Sequence, residues 1–190
     1  TPVILLSDAY IANGSAAWHL PNLNDYPAIV PPYVKPEMAG SWTPFQRNPQ
    51  TGVRYWATPG MKGFMHRIGG LEKSNETGAI STEPENHNLM TRLRAEKVER
   101  IAASIPDLEV EGDADADLLI VGFGGTYGHL HSAMDAMNRH GKKAALAHFK
   151  FINPLPRNTE AVLHRYKKIV VAEQSMGQFA GYLRMKIEGL

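Results

Sequence analysis

The glycine-rich turn Val121-Gly122-Phe123-Gly124-Gly125-Thr126-Tyr127-Gly128 is the densest run of residues able to do chemistry in this 190-residue sequence. It follows an apolar stretch and opens a helical pattern, so its free backbone N–H groups could hold an anion or meet another protein surface. A dinucleotide fits poorly there. The fingerprint needs a third glycine where Tyr127 stands, and the next strand ends at Phe149-Lys150 instead of at an acid for the ribose. A second cluster, Glu173 with Gln174 and Gln178, follows the last expected strand, at the edge where open α/β sheets place their ligands. Glu173 could equally cap the helix that opens near Met176. Gly122, Gly124, Gly125, Thr126, Gly128, Glu173, Gln174 and Gln178 are thus the candidate interface or anion-binding residues, and none is assigned to catalysis.

Other chemistries find little support. His129-x-His131 falls on an expected helix, where residues two apart do not share a face, and the eight histidines include no His-x-x-x-His pair. The sequence has no cysteine, which removes disulfides, a thiolate nucleophile and any iron–sulfur or Cys-zinc site carried by this chain. A metal would have to gather distant carboxylates, so none is expected. Ser7-Asp8 follows an apolar run, but no G-x-S-x-G elbow exists. The formal net charge of +1 gives no blanket basic field for nucleic acid or anionic membrane. Val3–Leu6 and Asp117–Phe123, the longest apolar runs, fall far short of the roughly 20 residues of a spanning helix. No secretory leader is visible, because Asp8 and Asn13-Gly14 interrupt the first apolar stretch. A soluble, cytoplasmic protein is the expectation.

The elements that must position these residues change character along the chain. Val3-Ile4-Leu5-Leu6 has the pattern of a buried parallel strand, and a start at Thr1-Pro2 suggests a fragment of something longer. Nine of the 13 prolines and all three tryptophans lie within residues 1–60, which hold only six of the charged residues. Such a stretch forbids long regular elements yet is too apolar for disorder. An extended connector is expected, burying Trp42, Phe45, Tyr55 and Trp56 on its own domain or on a partner. A short strand is possible at 64–68 and a polar loop at 74–83. A helix is expected over 86–105, with Met90, Leu93, Lys97, Val98, Ile101 and Ile105 on one face; Thr82-x-x-Glu85 and Asn86 are alternative caps. After an acidic, mobile-looking loop from Glu109 to Asp115, strands at 118–123, 144–149 and 168–172 alternate with helices at 126–140, 158–166 and 176–187. That alternation predicts an α/β fold, a three-layer α/β/α mainly parallel sheet.

Five stretches resemble one family. TPVILLSDAYIANGSAAW (1–18), RYWATPGMKGFMHRIGGLE (54–72), STEPENHNLMTRLRAEKVERIA (81–102), VGFGGTYGHLHSAMDAMNRHGKKAALAHFKFINPLP (121–156) and VVAEQSMGQFAGYLR (170–184) are similar to the α subunit of 2-oxoacid:ferredoxin oxidoreductases, most like the 2-oxoglutarate type. Two departures are Phe123-Gly124, where a Trp-Gly-Ser-Thr form is common, and Gln174-Ser175, where an Asn is frequent. The resemblance implies the tail of a thiamine-diphosphate pyrimidine-binding domain at 1–19, a Pro/aromatic-rich connector at 20–59 and a transketolase C-terminal-like domain at 60–190.

It further implies an enzyme complex that decarboxylates a 2-oxoacid, passes electrons to ferredoxin and forms an acyl-CoA. Thiamine diphosphate, Mg, an iron–sulfur cluster and CoA belong to that complex, and none is expected on this segment. The family's activating glutamate lies upstream, so no catalytic residue carries over. Expected partners are the β subunit and the upstream pyrimidine-binding domain, with ferredoxin for the full complex. The segment would serve as a scaffold, positioning being itself a catalytic contribution. The alternative is a stand-alone nucleotide- or CoA-binding module that uses the glycine turn.

Overall fold

The structure is a computed structural model that describes residues 2–190; Thr1, the first residue of the 1–19 segment, lies outside the described residues. The chain divides into two compact units. One comprises the residues up to Ala17 together with Ile101–Leu190, the other Trp18–Arg100.

The first unit is built on a four-stranded sheet. Its strands are β1 (Val110–Gly112), β2 (Leu118–Phe123), β3 (Ala144–Phe149) and β4 (Lys168–Val171), in the order β1-β3-β2-β4. β2 runs parallel to both β3 and β4, with Leu118 opposite Ala144 and Lys168, while β1 runs antiparallel to β3. Because strand side chains alternate, each face of the sheet builds a separate core. Leu119 and Val121 pack with Phe149, Val162, Leu163, Phe179 and Leu183 on one side. Ile120 packs with Met134, Ala144 and Leu146 on the other. The helix at Tyr127–Arg139 thus covers one face, and those at Thr159–Leu163 and Gln178–Lys186 cover the opposite one. This is the expected three-layer α/β arrangement. With α1 at Ala9–Asn13 and α2 at Pro84–Glu99, these three helices are α3, α4 and α5 in chain order.

Polar devices set the ends of these elements. Gly141, at φ 74°, terminates α3, with its N–H on Asn138 O and the Lys142 N–H on Met137 O. The Asn138 side chain then bonds both the N–H and the C=O of Ala144, at 2.8 and 3.0 Å, and so places the first residue of β3. Asn158 does the same for Leu108, at 2.7 and 2.9 Å.

Several expectations are corrected here. Val3–Leu6 forms no strand: its side chains are 64–93% exposed, and it adds to neither edge of the sheet. The acidic segment expected as a mobile loop contains β1, whose Val110 packs on the core. α5 begins at Gln178, two residues late, because Gly177 at φ 85° is left-handed and cannot join the helix. α4 is shorter than expected, ending at Leu163.

In the unit Trp18–Arg100 the main regular element is α2, which buries Met90 and continues as a 3-10 turn from Arg100 to Ser104. Neither expected cap starts α2: Glu83 stands at the N-cap with Pro84 at the first helical position. Asn86 instead accepts from Asn75 N and donates to Lys73 O, holding the preceding loop. Phe64 is buried and meets the Trp42 ring at 5.6 Å, but no strand forms over 64–68, an irregular stretch flanked by Gly63 and by Gly69-Gly70. Trp42, Phe45 and Tyr55 are half-buried. Trp56, expected to be buried, is 47% exposed and rests edge-on against Tyr33.

Candidate interface site at the strand ends

β2 and β4 are parallel neighbours, so the turns leaving Phe123 and Val171 emerge from the same edge of the sheet. Phe123 and Phe179 join their bases, with ring centroids 4.7 Å apart. In the glycine turn two residues answer to packing. Gly122 is buried, and a methyl group there would overlap Leu130 of α3 and sit 2.9 Å from Thr126 Oγ1. Thr126 is buried and donates its hydroxyl to Phe123 O at 2.8 Å. The other three are exposed. Gly124 takes φ 62°, Gly128 has open space around it on the first turn of α3, and Gly125 lies directly under the Asp8 carboxylate. A carboxylate on that face weighs against an anion approaching the turn.

The second segment is organised by Glu173. Its carboxylate accepts from the Phe179 N–H at 2.9 Å, the Ala180 N–H at 3.0 Å and the Ser175 hydroxyl. It therefore caps α5 from six residues upstream, satisfying donors that the helix cannot. Burial opposes its ionisation, but the three hydrogen bonds outweigh burial and hold the carboxyl below its ordinary value. Gln174 is exposed and Gln178 accepts the Met176 N–H at 2.5 Å.

A pH test follows. The lowered folded-state value means that Glu173 stabilises the protein above its unfolded value of 4.5 and that this contribution disappears as pH falls through the folded value. Glu173→Gln is expected to cost about 1 kcal/mol near neutrality, with the gap to the parent closing below pH 4.5. Urea melts at both pH values check it; an equal gap at both would contradict the cap.

One neighbouring group was not anticipated. Tyr127 donates to Glu111 at 3.0 Å, and the His131 ring nitrogens lie 3.5 Å from Glu111 and from Asp135. Tyr127 also meets the His148 ring edge-on at 5.2 Å. The Glu111 hydrogen bond pushes the Tyr127 phenol upward, and burial pushes His148 downward against the nearby Gly124 and Phe123 backbone. His148 Nε2 is buried with no partner among the described residues, on the β3 residue opposite Gly122. The sequence signal was slight: Glu111 lay in a presumed loop, and only the β2–β3 register brings His148 to this end. Among the described residues no group of three His, Asp or Glu is placed to hold a metal.

Residues 116–189 match the family model of the pyruvate:ferredoxin oxidoreductase core domain II. Over 187 residues, 98% of the chain, the sequence is 46% identical to 2-oxoglutarate oxidoreductase subunit KorA of Mycobacterium tuberculosis. The chain is similar, along nearly its whole length, to α subunits of 2-oxoacid:ferredoxin oxidoreductases. Family resemblance extends to 2-oxoacid:ferredoxin oxidoreductase 1, subunit alpha, of Aeropyrum pernix, at 28% identity over 97% of the chain. Among solved structures, the 2-oxoglutarate:ferredoxin oxidoreductase of Magnetococcus marinus, with 2-oxoglutarate, coenzyme A and succinyl-CoA bound, superposes with a TM-score of 0.77. It shares 28% identity, over 88% of this chain and 29% of that one. The chain spans 28% of the length of the Mycobacterium relative and 29% of the Aeropyrum one. Among the described residues no helix is long and apolar enough to cross a membrane.

Proposed function

We propose that this chain is the C-terminal part of the α subunit of a 2-oxoglutarate:ferredoxin oxidoreductase and serves there as scaffold and subunit-interface domain. The observation that carries this is the 46% identity to subunit KorA along nearly the whole chain. The assembled enzyme would oxidatively decarboxylate 2-oxoglutarate, transfer the acyl group to CoA and pass the two electrons to ferredoxin. Residues 1–19 would close a pyrimidine-binding domain, 20–59 would be the connector, and 60–190 the transketolase C-terminal-like domain. The exposed, unpaired Val3–Leu6 run supports the first of these, since its pattern asks for a sheet.

The residues present do not fit an iron–sulfur cluster, because the chain has no thiolate to ligate iron. In this reading thiamine diphosphate, Mg and the cluster are held elsewhere in the complex, and no step is assigned to this chain through them. Its contribution would be to hold the β subunit at the strand ends, where Gly124, Gly128 and Gln174 are exposed without a packing reason.

The test is Gly128→Glu in the assembled oxidoreductase. The site is open and lies in the first turn of α3, where glycine is a poor helix former and an acid suits the helix dipole. Melting temperature should hold or rise, while β subunit co-purifying with the α subunit falls about tenfold, as expected when a charge enters a packed interface. Unchanged co-purification would remove this edge from the interface.

A further inference from the structure

The unit Trp18–Arg100 contains a cavity of about 670 Å³, a size typical of small-molecule sites. Arg47, Arg54, Arg67, Lys73, Arg94 and Lys97 line it, and Glu72 is the one acid among its lining residues. Glu72 is already engaged, by His87 at 2.8 Å and by Arg94 at 3.6 Å. Among the described residues no carboxylate pairs with the other five cations. The imbalance is local, because the whole chain carries a formal net charge of only +1.

Arg47, Arg54 and Lys73 are also held in place. The Arg47 guanidinium donates to Phe45 O at 3.0 Å, to Asn75 Oδ1 and to Met90 Sδ at 3.5 Å, which ties it to α2 and to the preceding loop. Arg54 lies over the Phe45 ring at 4.6 Å. Lys73 is buried and donates to Gly69 O at 2.6 Å and to Leu71 O, fixing the glycine turn that forms one wall. Lys97 flanks Gly52, with its Cβ within van der Waals reach of that glycine's open side. Burial, followed by repulsion from Arg54 and Arg94, pulls Arg47 below its ordinary value. Fixed guanidinium groups without counter-charges carry an electrostatic cost that a bound anion relieves. Their planar forks match phosphate oxygens two at a time.

We propose that this cavity binds a phosphate-bearing small molecule, its phosphate groups held by Arg47, Arg54 and Lys97 and its remaining body resting on Phe45, Met90 and Leu93. Several phosphate charges are needed to answer five unpaired cations, and the volume admits a body of nucleotide size. The proposal does not depend on the subunit reading above.

Titration calorimetry of the full chain with inorganic diphosphate, ADP and CoA tests it, at low and at raised NaCl. Binding that weakens with salt is expected. Arg54→Glu and Lys97→Glu should each reduce affinity about tenfold or more, since each loses a charge-assisted contact and gains repulsion. Arg157→Glu, outside the cavity, should change nothing, and circular dichroism should show all three variants folded. CoA binding well above ADP identifies a CoA-type ligand; ADP and diphosphate binding alike identifies the phosphates themselves. The proposal is overturned if none of the three probes binds, if 2-oxoglutarate binds better than all of them, or if the two cavity variants bind like the parent.

Discussion

Replacing Gly112 with alanine is expected to remove about 3 kcal/mol of stability or more, a large share of what a domain of this size possesses. The reason is double. Gly112 ends β1 at φ 103°, a backbone conformation that penalises any Cβ. The added methyl would also sit 2.6 Å from Ala144 O, 2.6 Å from Met134 Sδ and 3.1 Å from Ala145 Cα. Met134 could move aside, but Ala144 and Ala145 are fully buried at the start of β3 and cannot. Gly141→Ala is the control. Gly141 also has positive φ, at 74°, but nothing lies within 4 Å of its open side, so only the conformational cost of about 1 kcal/mol applies. Thermal melts of the two variants distinguish overlap from φ alone; equal losses would remove the packing argument.

Leu119→Ala should be comparably damaging, at about 2–5 kcal/mol. Leu119 is fully buried in β2, which is paired on both sides, and it belongs to the core formed with Leu163, Phe179 and Leu183. Neighbours locked between two sheet partners collapse poorly into a vacated volume, which places the cost in the upper part of that range. Val170→Ala on β4 should stay within about 0.5 kcal/mol, because Val170 is 51% exposed. Urea unfolding with unchanged slope would report both. A loss below about 1 kcal/mol at Leu119 would mean that the two-faced core is wrongly described.

How much of this was legible depends on where the deciding contact lies. Leu118–Phe123 and Ala144–Phe149 fall where the apolar pattern put them, since strands buried on both faces leave a continuous signature. Val3–Leu6 carries the same signature and forms no strand, because a pattern states that a run seeks burial without naming the sheet. β1 escaped notice for the opposite reason: Glu109, Glu111 and Asp113 mask a three-residue edge strand whose pairing is decided by β3. At the candidate site, the two turns were found because strand ends in a parallel sheet are predictable from alternation alone. The Glu111–Tyr127–His131 contacts and the Asp8–Gly125 contact were not, because each joins residues that only tertiary folding brings together. That Glu173 caps α5 shows in two backbone donors that no sequence prints.

The sheet-bearing unit is discontinuous in the chain: residues up to Ala17 belong to it, and the next to do so is Ile101. Holding Asp8 against Gly125 therefore closes a loop from residue 8 to residue 125. For an unfolded chain such closure costs about 4 kcal/mol of entropy. α1 has no buried residue with which to offset it. What covers Gly125 therefore rests on a single long-range approach by a segment with little burial of its own, whereas β2 and β3 are buried and paired.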